Sequence, residues 1–118
     1  MLDKTYRIPK QNIPQIVRQG KKLTCNYFDL KFWYDNSLDH PLFAFIVSTK
    51  IDKRAVVRNT IKRKLRASVY SLIKSGFTFR NGNYIFLVRN VEISKLKSQE
   101  IAEIIYRTIE TRNATRDS

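Results

Sequence analysis

The chain has 118 residues, enough for one compact domain with a real core and too few for two ordinary ones. With 42% hydrophobic and 12% aromatic residues, three Gly and three Pro, its composition excludes disordered and collagen-like classes, and a lone Cys25 excludes an internal disulfide and fits a reducing compartment. Twenty-three Lys and Arg against ten Asp and Glu give a net charge of +13, a self-repulsion usually tolerated where a polyanion is the partner, nucleic acid first among them.

Met1 to Lys10 is polar and carries Pro9, so it lacks the apolar run of a signal peptide. No stretch approaches the roughly 18 to 20 apolar residues of a membrane span. The expectation is a soluble cytoplasmic protein without membrane or obligate protein partner, folded as a single domain over 1–118 with loose ends at about 1–6 and 113–118. Ile13, Ile16 and Val17 mark a short first helix, with Asn12 as N-cap, Pro14 in the tolerant first turn and Gly20 as the stop.

From Leu23 to Tyr34 the period is two. Phe28, Leu30, Phe32 and Tyr34 fall on a core face, and Tyr27, Asp29, Lys31 and Trp33 on the other. Aromatics mixed with a cation suit a surface that stacks bases and holds phosphates, and equally an ordinary half-exposed strand. After the turn-rich Asp35-Asn36-Ser37-Leu38-Asp39-His40-Pro41, the segment Leu42 to Thr49 reads as a second strand, antiparallel to the first through that loop. His40 reads as a solvated loop residue, and no metal site is indicated.

A basic helix follows, with Asp52 as its expected N-cap and an end near Lys74 set by Ser75-Gly76. Seven of the fourteen residues from Lys53 to Arg66 are Lys or Arg, and none is acidic. Val57, Ile61, Leu65, Val69, Leu72 and Ile73 recur at spacings of four and three, so this face turns to a core and the cations stay outside. At about 100° per residue, Asn59, Arg63 and Arg66 lie opposite the apolar face, with Lys62 near its edge and Arg58 closer to the apolar arc. Arg presents a planar fork to phosphate and Asn can read a base or sugar edge, a pairing apt for RNA. Tyr84 to Arg89 is a nearly continuous apolar run, as in a buried strand reached by crossover. Ser98 caps a last helix running to about Arg112, with Ile101, Ile104, Ile105 and Ile109 inward. The order is helix, strands, helix, strand, helix: one α+β two-layer sandwich. There is no P-loop, dinucleotide turn, Cys/His cluster or Ser-His-Asp set, so any part in catalysis is through binding.

The residues Phe43-Ala44-Phe45-Ile46-Val47-Ser48-Thr49-Lys50 and Ala55-Val56-Val57-Arg58-Asn59-Thr60-Ile61-Lys62-Arg63-Lys64-Leu65-Arg66 resemble two motifs of the bacterial ribonuclease P protein subunit. These are a strand ending in Ser-Lys-Lys and an Arg-Asn-Arg helix trailed by Lys-Arg and Leu-Arg. Thr60 stands where the family usually has its second Arg, Ala44 where it has Gly, and Thr49 where it has Lys. The lead-in Ile51-Asp52-Lys53-Arg54 is one residue longer and lacks the usual Gly.

The resemblance implies a roughly four-stranded sheet with a left-handed crossover, as in the second domain of small-subunit ribosomal protein five. It also implies a noncatalytic role: a catalytic RNA with its own Mg²⁺ removes the 5′ leader of precursor tRNA, and the protein holds no metal. Lys50, Arg58, Asn59, Lys62, Arg63 and Arg66 match the family's RNA-docking residues, and Lys53 and Arg54 extend that basic run. Ile13 and Val17 match first-helix positions, commonly Phe, that wall a leader cleft; Tyr27, Lys31 and Trp33 join that cleft by strand alternation alone. A structural RNA-binding protein such as a ribosomal component is the alternative. A DNA-binding helix is weaker, because no short helix and turn precede the basic one.

Overall fold

The computed structural model describes residues 2–117, with side chains as far as Glu110. Its elements are α1 (Ile13–Gln19), β1 (Lys21–Thr24), β2 (Phe28–Tyr34), β3 (Leu42–Ile46), α2 (Ala55–Lys74), β4 (Gly82–Val88) and α3 (Ser98–Asp117), with short 3₁₀ turns at Lys4–Tyr6, Lys10–Asn12 and Val91–Lys95. α1 begins and ends where Pro14 and Gly20 place it, although Asn12 makes no capping bond through its side chain. α3 stays helical to Asp117, past the expected end at Arg112. The expected looseness of the ends, for Met1 and for the side chains of 111–118, lies outside the described residues.

The four strands form one mixed sheet in the order β1-β2-β4-β3. β1 and β4 each pair antiparallel with β2, while β3 pairs parallel with β4. The expected antiparallel pairing of β3 with the strand before it is therefore corrected. β4 lies between them because its two faces are both apolar: Tyr84, Phe86 and Val88 are buried on one side, Ile85 on the other. Such a strand gains most at the sheet centre, and a parallel neighbour reached through a helix puts it there.

The long strand expected from Leu23 to Tyr34 is a hairpin. The Cys25 N–H donates to Phe28 O at 3.0 Å, and Asn26-Tyr27 forms the loop. Among the described residues no non-Gly residue has positive φ, so this loop carries none of the Gly-containing signal of the commonest hairpins. β2 itself alternates as expected, with Phe28, Leu30 and Phe32 buried.

Helices α2 and α3 cover one sheet face. Ile61, Leu65, Val69 and Leu72 of α2 and Ile101, Ala102 and Ile105 of α3 join Phe28, Leu30, Phe32, Phe43, Tyr84 and Phe86 in the main core. Tyr84 is buried there with its hydroxyl donating to Arg80 O, and burial raises its pKa well above the ordinary value. The helix pair is latched by Ser68, whose buried hydroxyl shares its proton between Lys64 O (2.7 Å) and Ser98 O (2.9 Å). The start of α3 is capped from Glu100, which accepts the Lys97 N–H at 2.9 Å, rather than by the expected Ser98. On the opposite sheet face, α1 packs Ile16 against Ala44 and Ile85, with Ile8 beside them.

Gly82 opens β4 against Tyr34, and a Cβ there would lie 2.7 Å from Trp33 O and 2.8 Å from Tyr34 Cα. Both are backbone atoms of a paired strand and cannot swing aside. Gly82→Ala is expected to lower stability by about 1–3 kcal/mol, read as a shift in the denaturant midpoint.

Candidate nucleic-acid interface

The lead-in to α2 is built around Asp52 and Arg58. The Asp52 carboxylate accepts from Arg54 N (2.8 Å), Nε (3.0 Å) and Nη2 (2.8 Å), a fork that fixes the Arg54 side chain. Those side-chain bonds first, then the backbone one, hold its pKa down to about 2. Asp52 is thus not the N-cap. The residue at that position is Arg54, in extended backbone without a side-chain cap, because the Asp52 carboxylate is engaged two residues earlier. Arg58, half-buried one turn into the helix, reaches back with Nη1 to Asp52 O (3.0 Å) and Lys53 O (2.8 Å). One guanidinium group therefore pins the loop that carries Lys53 and Arg54.

From this lead-in the cations continue along α2. Lys50, Lys53, Arg54, Asn59 and Arg63 are exposed, while Arg58, Lys62 and Arg66 are half-buried along one flank at spacings of four. Arg66 departs from the expected position opposite the core: its guanidinium lies over the Phe45 ring, 6.0 Å from the centroid. Thr60 turns its hydroxyl onto its own helix, donating to Val56 O at 2.8 Å. Lys64, counted in the basic run, points the other way. Its ammonium donates to Ser94 O (2.6 Å) and Leu96 O (2.9 Å), closing the Val91–Lys95 turn against α2. The eight residues read as RNA-binding thus lie along the lead-in and the exposed and flanking sides of α2 as far as Arg66.

The five residues read as a leader cleft divide. Ile13 and Val17 are half-buried, packed with Ile16 onto the sheet face opposite α2. Lys31 and Trp33 lie on that same face by strand alternation, with Trp33 38% exposed. Lys22 of β1 is registered against Lys31 and adds a cation to this face. A cavity of about 390 Å³ at the end of α1 is lined by Gln19, Gly20, Lys21 and Phe32 to Tyr34. Tyr27 is elsewhere, and this corrects its assignment: it lies in the β1–β2 loop against the main core, and its carbonyl accepts from Arg89 N and Asn90 N. The hairpin loop resets the alternation, so Tyr27 no longer shares a face with Lys31.

Acids near these surfaces are paired. Asp29 sits 3.1 Å from Arg89 Nε and accepts from Thr24 Oγ1 at 3.0 Å. Among the described residues no three His, Cys, Asp or Glu converge as metal ligands, and no helix is long and apolar enough to cross a membrane. His40 is half-buried, its ring 4.6 Å from that of Tyr6.

The Ribonuclease P family model matches residues 2–111. The chain belongs to the bacterial ribonuclease P protein family. It is 35% identical over 80 residues to the ribonuclease P protein component of Synechocystis sp., a match spanning 64% of each chain. With that of Syntrophomonas wolfei it shares 40% over 70 residues, 58% of this chain and 57% of the relative. The match to the Streptococcus pyogenes serotype M5 protein component is longer and weaker, 26% over 108 residues, covering 92% and 87%. Among solved structures, the ribonuclease P protein of Staphylococcus aureus superposes with a TM-score of 0.73 at 22% identity, covering 91% of this chain and 94% of that one. The Thermotoga maritima protein gives 0.73 at 20%, covering 86% and 92%. The α+β fold, three helices on a four-stranded mixed sheet, is thus that of ribonuclease P proteins.

Proposed function

We propose that this chain is the noncatalytic, RNA-binding subunit of ribonuclease P. It docks on the catalytic RNA through the lead-in and first turns of α2. Its opposite sheet face, around α1, Lys31 and Trp33, meets the single-stranded 5′ leader of precursor tRNA. In that assembly, the Mg²⁺ that would activate the water for phosphodiester cleavage is held by the RNA and substrate. The observation that carries this reading is the ordered cationic surface from Lys50 to Arg66, in which the one acid, Asp52, is tied to Arg54. Arg forks held before the ligand arrives lose little freedom on meeting phosphate.

Reconstitution with the matching catalytic RNA at low Mg²⁺ tests it. The expected result is faster precursor tRNA cleavage than by RNA alone, with log affinity falling against log salt by about 0.7 to 0.9 per phosphate contact. A protein that binds ribosomal RNA and leaves cleavage unchanged would instead be a structural RNA-binding component, and this reading would be lost.

A further inference from the structure

Asn81-Gly82 is the one Asn-Gly pair in the chain, and the fold imposes its glycine. Gly82 opens β4 pressed against the backbone of Trp33 and Tyr34, where a Cβ has no room. In a flexible chain such a pair reacts with itself, because a following glycine gives the backbone most freedom and leaves its nitrogen least hindered toward the Asn side chain. Here that approach is blocked. Asn81 Nδ2 donates to Leu38 O at 2.7 Å, and Asn81 O accepts the Asp35 N–H at 3.1 Å. Asn81 is half-buried, and Gly82 is buried in register with Tyr34. Bringing the Asn81 side chain back onto Gly82 N requires the bond to Leu38 O to break. That bond is only as firm as the loop between β2 and β3 that carries Leu38. The loop is held by the Asp35 carboxylate, which accepts from Ser37 N (2.9 Å) and Ser37 Oγ (2.6 Å), and by Leu38 N donating to Asp35 O at 3.3 Å. Asn36, Ser37 and Asp39 are all exposed, so little burial opposes its opening.

We propose that Asn81 is a site of spontaneous deamidation gated by this loop, closed while Leu38 O holds the side-chain amide and reactive when the loop opens. In the open state Gly82 N forms a bond to Asn81 Cγ and gives up its proton, the Cγ–Nδ2 bond breaks, and ammonia leaves behind a cyclic imide. Water then adds to one of the two ring carbonyls and opens it to aspartate or isoaspartate. Either product sets an acceptor-only carboxylate against Leu38 O, where an amide had donated, so the loop cannot close as before. Opening permits the reaction, and the reaction keeps the loop open. The change extends to the N-terminal segment, since His40 of the same loop lies against Tyr6, next to the Arg7–Phe43 bridge. Asn81 and Gly76 line a shared cavity of about 340 Å³ at the C-terminal end of α2. The 20 residues of α2 span about 30 Å from that end to the cationic lead-in, so the proposal stands apart from the RNA-binding reading.

The test uses the full chain at mildly alkaline pH, folded or unfolded in urea. Mass spectrometry follows the tryptic peptide that begins at Asn81, with fragmentation separating Asn81 from Asn83. Conversion at Asn81 is expected to be at least about tenfold slower in the folded protein, since it runs through a small open fraction. Asp35→Ala removes both Ser37 bonds and leaves the Asn-Gly pair untouched. It is expected to raise the folded-state rate about fivefold, the factor that one ordinary hydrogen bond contributes to an opening equilibrium. Ser37→Ala keeps no hydroxyl but retains the backbone bond, and is expected to give a smaller rise, which carries the comparison where Asp35→Ala fails to fold. Asn81→Asp, one of the two products, is expected to show fast hydrogen exchange at the amides of Ser37 and Leu38. Equal rates in folded and unfolded protein, no conversion at Asn81 in the unfolded chain, unchanged rates in both loop variants, or slow exchange in Asn81→Asp would each overturn the proposal.

Discussion

Phe86→Ala will unfold at a much lower denaturant concentration than the unaltered protein, with a loss of about 3–5 kcal/mol. Phe86 is fully buried in the central strand, opposite Leu30 of β2 and Phe45 of β3. Its ring lies 5.3 Å from those of both Phe28 and Phe45. A cavity there is walled by strands held on both sides by backbone hydrogen bonds, so the surroundings cannot collapse into it and the cavity cost adds to the lost transfer energy. For a domain of ordinary stability, about 5–15 kcal/mol, this is a large share of the total. Phe86→Leu keeps most of the volume and should cost under about 1.5 kcal/mol. Urea titration by circular dichroism reads both. An alanine variant that loses less than about 1 kcal/mol would show that the sheet centre repacks freely.

The same substitution reaches the cationic flank of α2. Phe45 is held from inside by Phe86, and Arg66 rests on Phe45. Loosening the Phe45 ring removes the platform under Arg66, so core packing and the placing of this flank cation are one physical system at this edge of the sheet.

What could be read from the residues was what depends on local period. The apolar stripe Ile61, Leu65, Val69 and Leu72 gave the buried face of α2 and hence the exposure of Asn59 and Arg63, and Gly76, with φ of 99°, ends that helix as its sequence position suggests. Three things were not legible, each for a definite reason. The pairing of β3 is non-local: nothing within Leu42–Ile46 says that a strand almost 40 residues later will lie beside it. Tyr27 was misplaced because the Cys25–Phe28 hairpin uses no left-handed residue and so leaves no turn signal. Within the basic run, direction was hidden. Lys64 turns inward because the carbonyls of Ser94 and Leu96 need a donor, and Arg58 turns back because those of Asp52 and Lys53 do. Helical angle alone ranks such cations by exposure and cannot see which unsatisfied carbonyls will capture them.

Arg58 and Arg63 are therefore expected to fail differently. Arg63→Ala removes an exposed cation, so thermal stability should stay within about 0.5 kcal/mol. If α2 docks on RNA as proposed, the variant is expected to lose one phosphate contact, binding RNA a few-fold more weakly with a salt slope lower by about 0.7 to 0.9. Arg58→Ala removes a charge and also releases Asp52 O and Lys53 O, so Lys53 and Arg54 are no longer presented in a fixed geometry. Affinity for the catalytic RNA should drop at least about tenfold, a loss of at least about 1.4 kcal/mol. Stability should fall by about 1–3 kcal/mol, the scale for charge-assisted hydrogen bonds. Arg58→Lys separates the two parts, since it keeps the charge but has no planar fork to span both carbonyls. It should recover the salt slope yet leave the Lys53–Val57 amides fast in hydrogen exchange, with an affinity between those of the unaltered protein and the Arg58→Ala variant. Binding of Arg58→Lys equal to the unaltered protein, or an Arg58→Ala protein as stable as Arg63→Ala, would reduce Arg58 to one more phosphate contact and remove its part in ordering the lead-in.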